Sequence, residues 1–142
     1  MKFDYFDVVQ RSKKKYALIM EPVCRRWDLT KNELDVLLFL HNNPEFDRAA
    51  DMVTHRGMTK SHVSLSVTNL ESRGLLERRE DPEDRRTVRL ILKEEGRTIA
   101  AEGREYQARF FRQIFRGLTR EELLLMQGMM ERIYANIESM DE

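Results

Sequence analysis

Residues 59–92 constrain the fold more than any other stretch, because TKSHVSLSVTNLESRG, LLERRE, DPEDRR and TVRLIL follow one another without a gap. In the first segment Val63, Val67 and Leu70 recur at i, i+4 and i+7, a narrow apolar stripe of helical period. Thr59 stands where an N-cap would, and Gly74 where a left-handed residue would close the helix. Opposite the stripe lie Ser61, Leu65, Thr68 and Ser72, flanked by His62, Ser64 and Asn69. A helix that faces bulk water usually carries charge outward, whereas this face carries hydroxyls, an amide and one leucine. Short polar side chains let a helix enter the major groove, where hydroxyls and Asn read base edges and an apolar group touches a thymine methyl. The competing reading is a solvated face with a chance run of Ser and Thr.

LLERRE and TVRLIL are short strand candidates joined by a charged connection that has Pro82 near its start. A hairpin placed directly after such a helix makes a wing. Its tip, Arg85 and Arg86, can reach phosphates or enter the minor groove, and Asp84 is placed to hold one guanidinium by a charge-assisted hydrogen bond. A salt-bridged hairpin tip is the plain alternative.

The run from Ala49 to Gly96 resembles the MarR family of bacterial transcriptional regulators, through AADMV, TKSHVSLSVTNLESRGLLER and DPEDRRTVRLILKEEGR. The D-x-R of the wing, the most specific of that family's signatures, falls on Asp84 and Arg86. The resemblance implies a mainly α fold with a small β-wing. Residues 1–142 would form a single MarR-like domain, with a winged helix-turn-helix lobe over 30–92 and a helical dimerisation region over 1–29 and 93–142. It implies a homodimer on palindromic double-stranded DNA. Thr59, Lys60, Ser61, His62, Ser64, Leu65, Thr68 and Asn69 would face DNA from the recognition helix, and Asp84, Arg85 and Arg86 from the wing. It further implies a repressor released by a small aromatic effector, held in a cleft that Trp27, Tyr106 or Phe110 would line. One position departs from the pattern: Lys93 stands where a Thr or Ser usually caps the next helix, so a frayed start is expected there.

At 142 residues the chain has one domain's length, and its formal charge of zero argues against a charge-only DNA binder. Within residues 59–92 seven Lys or Arg stand against six Asp or Glu, so placement must supply any affinity for phosphate. A winged-helix dimer that serves only as a protein-interaction module is therefore the second reading, and salt-dependent duplex binding separates the two. The opening MKFDYFDVV lacks the pattern of a targeting peptide, and VLLFL and LLLM are too short to span a membrane. With one cysteine and no internal disulfide, a cytoplasmic setting is expected. No membrane partner and no cofactor are called for, and no nucleophile–base, phosphate-loop or zinc-enzyme motif argues for an enzyme.

A first helix is expected from Phe3 to Trp27, kinked or broken near Pro22, with Phe6, Val9, Tyr16, Met20, Val23 and Trp27 as its apolar series. Cys24 beside Arg25 and Arg26 invites a lowered thiol pKa, although a packed cysteine is the ordinary outcome. Thr30 and Glu33 form a capping-box pattern before Leu34, Leu37, Leu38 and His41. Asp47 reads as the cap of a third helix, with Ala50 and Val53 turned inward and small Ala50 allowing close approach to the recognition helix. His41, His55 and His62 show no ligand spacing, so no metal is assigned. Helices are expected from about Glu94 to Arg116, weakened by Gly96 and Gly103, and again after the Thr119–Glu122 capping box. In the last one Leu123, Met126, Met130, Ile133, Ile137 and Met140 alternate steps of three and four, the seam of a helix pair. Phe6, Val9 and the seam from Leu123 to Ile137 make the expected dimer interface.

Overall fold

The computed structural model describes residues 2–141, which form six α-helices and one hairpin. They run α1 (Tyr5–Trp27), α2 (Lys31–Asn42), α3 (Ala49–Arg56), α4 (Lys60–Ser72), β1 (Leu76–Glu80), β2 (Val88–Leu92), α5 (Glu94–Ile114) and α6 (Arg120–Glu138), with a 3₁₀ turn at Ser139–Asp141. This is a winged helix-turn-helix. The chain divides into two compact units, Met1–Ala108 and Arg109–Glu142.

In the first unit α2 is the central helix. Thr30 accepts the N–H of Glu33 at 3.1 Å, and Glu33 accepts that of Thr30 at 2.8 Å, so the capping box is complete. Leu34, Leu37 and Leu38 are buried as the periodicity requires, and so are Val36, Phe39 and Leu40. A helix buried on most of its surface is surrounded rather than laid on a core.

Helix α1 begins two residues later than Phe3, capped by Asp4, and it runs through Pro22 without a break. Met20 and Val23 are buried on either side of the exposed Pro22, and their packing outweighs the one hydrogen bond proline removes. The helix closes at Asp28, in the left-handed region at φ 50°. Its last carbonyls are then taken by the Arg73 guanidinium, which reaches Trp27 O and Asp28 O at 2.6 Å each.

Asp47 does not cap α3. The cap position is Arg48, whose N–H is accepted by Asp51 at 3.1 Å. The Asp47 carboxylate instead receives Arg89 of β2 at 2.7 Å, while its carbonyl accepts Leu90 N–H at 2.7 Å. Val53 is half-buried, but Ala50 is exposed, and Met52 is the side chain that α3 buries completely.

The start of α5 is not left loose by Lys93. The Lys93 N–H donates to Leu75 O at 2.9 Å, and Arg97 donates to Leu92 O at 2.7 Å. Gly96 lies against the same Leu75 carbonyl, so closely that a Cβ there would stand 2.1 Å from the oxygen. The glycine that weakens the helix locally is what lets α5 pass the end of α4.

The second unit is described by itself. The end of α5 carries a row of rings, Phe110 edge-on to Phe111 at 5.4 Å and Phe111 stacked on Phe115 at 6.0 Å. Thr119 and Glu122 close the second capping box, at 3.1 and 2.7 Å. Helix α6 has no buried residue among those described: Leu123 and Met126 are half-buried, and Met130, Ile133 and Ile137 are about half exposed; Met140, in the 3₁₀ turn beyond it, is 77% exposed.

Candidate nucleic-acid interface

Helix α4 is built as its sequence requires. The Thr59 hydroxyl accepts the His62 N–H at 3.2 Å. At the other end Gly74 at φ 71° donates to Glu71 O, and Leu75 donates to Leu70 O, both at 3.0 Å. That pair of bonds is a Schellman closure, open to glycine because a Cβ is disfavoured in this region. Val63, Val67 and Leu70 are buried; Ser66, beside the stripe, is buried as well.

The remaining face points away from the core. Thr59, Lys60, Ser61, His62, Ser64, Leu65, Thr68 and Asn69 are all exposed, Leu65 at 62%. Thr68 is partly committed, since its hydroxyl accepts from Arg78 at 3.2 Å.

The wing is an antiparallel pair in the register Leu76↔Leu92 to Glu80↔Val88. Its connection is two successive turns, each opened by an aspartate. Asp84 N–H donates to Asp81 O at 3.2 Å with Pro82 at the second position, and Thr87 N–H donates to Asp84 O at 2.9 Å. Each carboxylate also caps its own turn: Asp81 accepts Glu83 N–H at 2.9 Å, and Asp84 accepts Arg86 N–H and the Thr87 hydroxyl at 3.0 Å each. Asp84 therefore does not grip a guanidinium. It fixes the backbone from which Arg86 projects, and among the described residues neither Arg85 nor Arg86 has an acidic partner within 4 Å.

The near-neutral charge of residues 59–92 resolves into pairs. Glu71 holds Arg78 at 3.0 Å, Glu77 holds Arg79, and Asp81 holds Arg89 at 3.0 Å. The Glu83 N–H and the Arg89 guanidinium keep the Asp81 carboxyl below its ordinary range. Arg73 is spent on carbonyls, which leaves Lys60, Arg85 and Arg86 uncommitted. Acids of this segment thus cancel the cations of the hairpin's strands and spare those at its tip and at the start of α4.

Arg89 with Asp47 and Asp81 is the feature the sequence did not disclose. The Asp81–Arg89 pair follows from the hairpin register, but Asp47 lies 42 residues from Arg89, beyond any local pattern. This tie fastens the wing to the segment before α3.

Cys24 is half-buried, and burial followed by the charge of Asp35 raises its thiol pKa. Arg25 and Arg26, expected to lower it, are turned to Glu21 and Glu102 at 3.5 and 3.0 Å. Trp27 and Tyr106 are half-buried against the core of the first unit, the Trp27 indole donating to Glu102 at 2.7 Å; Phe110 belongs to the second unit. His55 stacks on Phe46 at 4.3 Å, and the described residues contain no cluster suited to a metal ion. No helix among them is long and apolar enough to cross a membrane.

Residues 27–87 match the model of the MarR family. The HTH-type transcriptional repressor IacR of Pseudomonas putida is 25% identical over 126 residues, 89% of this chain and 75% of that protein. The structure of the Staphylococcus aureus MepR–DNA complex has the same fold, with a TM-score of 0.75 at 18% identity over 95% of this chain and 99% of that one. So does Bordetella bronchiseptica BpsR, whose DNA binding is regulated by 6-hydroxynicotinic acid, with a TM-score of 0.68 at 21% identity over 92% and 93%.

Proposed function

We propose that this chain, a winged helix-turn-helix protein of the MarR type, is a cytoplasmic homodimeric regulator that represses transcription from palindromic operators until a small effector releases it. One observation carries the reading: the exposed, nearly uncharged face of α4 is followed directly by a hairpin whose tip bears Arg85 and Arg86, neither with an acidic partner among the described residues. Residues 30–92 act as the DNA-binding lobe, and residues 1–29 and 93–142 as the dimerisation region. Lys60, Ser61, His62, Ser64, Leu65, Thr68 and Asn69 meet bases and phosphates in the major groove, with Thr59 at the helix entry. Arg86 enters the minor groove, where a narrow groove concentrates negative potential, Asp84 shapes the turn beneath it, and Arg85 faces phosphate.

The half-exposed row Met130, Ile133 and Ile137, continuing Leu123 and Met126, supports the dimer, as do exposed Phe6 and half-buried Val9 on α1. Leaving such a row in water forgoes roughly 1.5–3 kcal/mol per large side chain. Two-fold symmetry then sets the recognition helices about one turn of DNA apart. Repression and effector release are supported by the repressor IacR and by the regulated DNA binding of BpsR.

Selection of bound duplexes from a random pool, followed by binding across a salt series, tests the reading. A palindromic consensus is expected. Arg86→Ala should weaken binding and flatten the salt dependence by about one phosphate-equivalent, with Arg86→Lys recovering only part of the affinity. No enrichment and no salt-dependent affinity would leave the protein-interaction module as the better account.

A further inference from the structure

The polar groups of α4 are of two kinds, those already engaged and those left free. The Thr68 hydroxyl accepts from Arg78 at 3.2 Å, Glu71 holds the same guanidinium at 3.0 Å, and the Ser61 hydroxyl lies 3.3 Å from that of Thr59. The Asn69 carbonyl accepts the Ser72 hydroxyl at 2.8 Å and the Arg73 N–H at 3.2 Å, but the Asn69 side-chain amide has no hydrogen-bond partner among the described residues. That amide is exposed, and one turn before it on the same face stands Leu65, also exposed. Neither side chain holds the helix in place, because α4 is anchored from its other side by buried Val63, Val67 and Leu70.

What the face lacks is as specific as what it carries. Between Thr59 and Ser72 the single Lys or Arg is Lys60. At about 100° per residue it stands about 20° from buried Val67, on the flank rather than at the centre of the free face. Guanine presents two acceptors, O6 and N7, and is held by the paired donors of Arg or Lys. Adenine presents a donor and an acceptor, N6–H and N7, the complement of a single amide, and thymine presents a methyl. We propose that α4 reads each half-site as adenine and thymine and reads no guanine. The Asn69 amide donates to adenine N7 and accepts from N6–H, and Leu65 packs on the thymine C5 methyl. Four residues of helix rise about 6 Å, or about two base-pair steps of 3.4 Å, which sets the spacing between the two bases. The inference rests on the DNA-binding reading above and adds to it the identity of the bases.

The duplex selected from the random pool, remade with one analogue at a time in each half-site, tests this atom by atom. Deoxyuridine in place of thymidine removes only the methyl, and 7-deazaadenine or 7-deazaguanine removes only the N7 acceptor. At one thymidine per half-site, deoxyuridine should weaken binding by the parent about fourfold and leave Leu65→Ala unaffected. At one adenine about two base pairs away, 7-deazaadenine should weaken the parent about tenfold and leave Asn69→Ala unaffected. 7-Deazaguanine should leave the parent's affinity unchanged throughout the half-site, and both variants should melt with the parent. Asn69→Ala that weakens every duplex alike, yet stays as sensitive as the parent to 7-deazaadenine, would place Asn69 on phosphate and overturn the assignment. So would Leu65→Ala that keeps the parent's response to deoxyuridine, a loss with 7-deazaguanine, or a Tm well below the parent's in either variant. An enriched duplex indifferent to all these analogues overturns the assignment alone, whereas no enrichment fails the DNA-binding reading and this inference with it.

Discussion

Two glycines in helices should respond to alanine with opposite signs. At Gly96 a built Cβ lies 2.1 Å from Leu75 O and 3.0 Å from its carbonyl carbon, whereas at Gly128 nothing lies within 4 Å. A relaxed C···O contact needs about 3.3 Å, so Gly96→Ala must push α5 and the Leu75 carbonyl apart by about 1 Å. That displacement breaks the Lys93 N–H to Leu75 O bond, now 2.9 Å, a loss of about 1 kcal/mol. Overpacking adds about 1–3 kcal/mol, and the better helix propensity of alanine returns at most about 1. The net is a destabilisation of about 1–3 kcal/mol, or roughly 3–10 °C in Tm for a chain of this size. Gly128→Ala should gain about 0.5–1 kcal/mol, since it sits away from the apolar row of α6. Thermal unfolding followed by circular dichroism, at one protein concentration because self-association shifts Tm, measures both. If Gly96→Ala melted at or above the parent temperature, the close passage of α5 over the end of α4 would be wrong.

Leu65→Ala should leave Tm nearly unchanged and cost about 1–3 kcal/mol at one base-pair position; equal binding to every operator variant would show that it reads nothing. Replacing both Ile133 and Ile137 with Glu should give monomer in sedimentation, and a well-folded dimer would exclude that row as the seam. Burial holds the Asp35 carboxyl above its ordinary range against the pull of Lys31. The folded state therefore binds this proton more tightly than the unfolded one, a contribution present below about pH 4 and lost as pH rises through the raised value. Asp35→Asn should accordingly gain on the parent from about pH 4 upward, and a stability difference independent of pH would refute the assignment.

Local signals were legible because their causes are local. Thr59, Gly74 and the Val63–Val67–Leu70 stripe act within one helix, and all three do what their positions imply. Thr30 and Thr119 are equally self-contained. One kind of misreading comes from distant partners. Asp47 has the chemistry of a cap, but Arg89, far along the chain, takes it. Of the kink or break expected at Pro22, the break does not occur, because buried neighbours hold the chain helical across it. Asp84 was legible as a wing residue but not in its action, because the carboxylate works on its own turn rather than on a side chain.

Three consecutive residues, Arg73, Gly74 and Leu75, receive four elements at once. Arg73 takes the end of α1, Gly74 and Leu75 close α4, Leu75 leads into β1, and its carbonyl meets Lys93 and Gly96 at the start of α5. Mechanically this is a fulcrum, and α4 is the lever that leaves it. The 13 residues of α4 give an arm of about 20 Å at about 1.5 Å per residue. A tilt of only about 10° at the fulcrum would sweep Thr59 through about 3.4 Å, the rise of one base along a DNA strand. Helix α1 ends and helix α5 begins its hydrogen bonding on that pivot, so the base of the lever is held from two sides while its tip at Thr59 is held only by α4 itself.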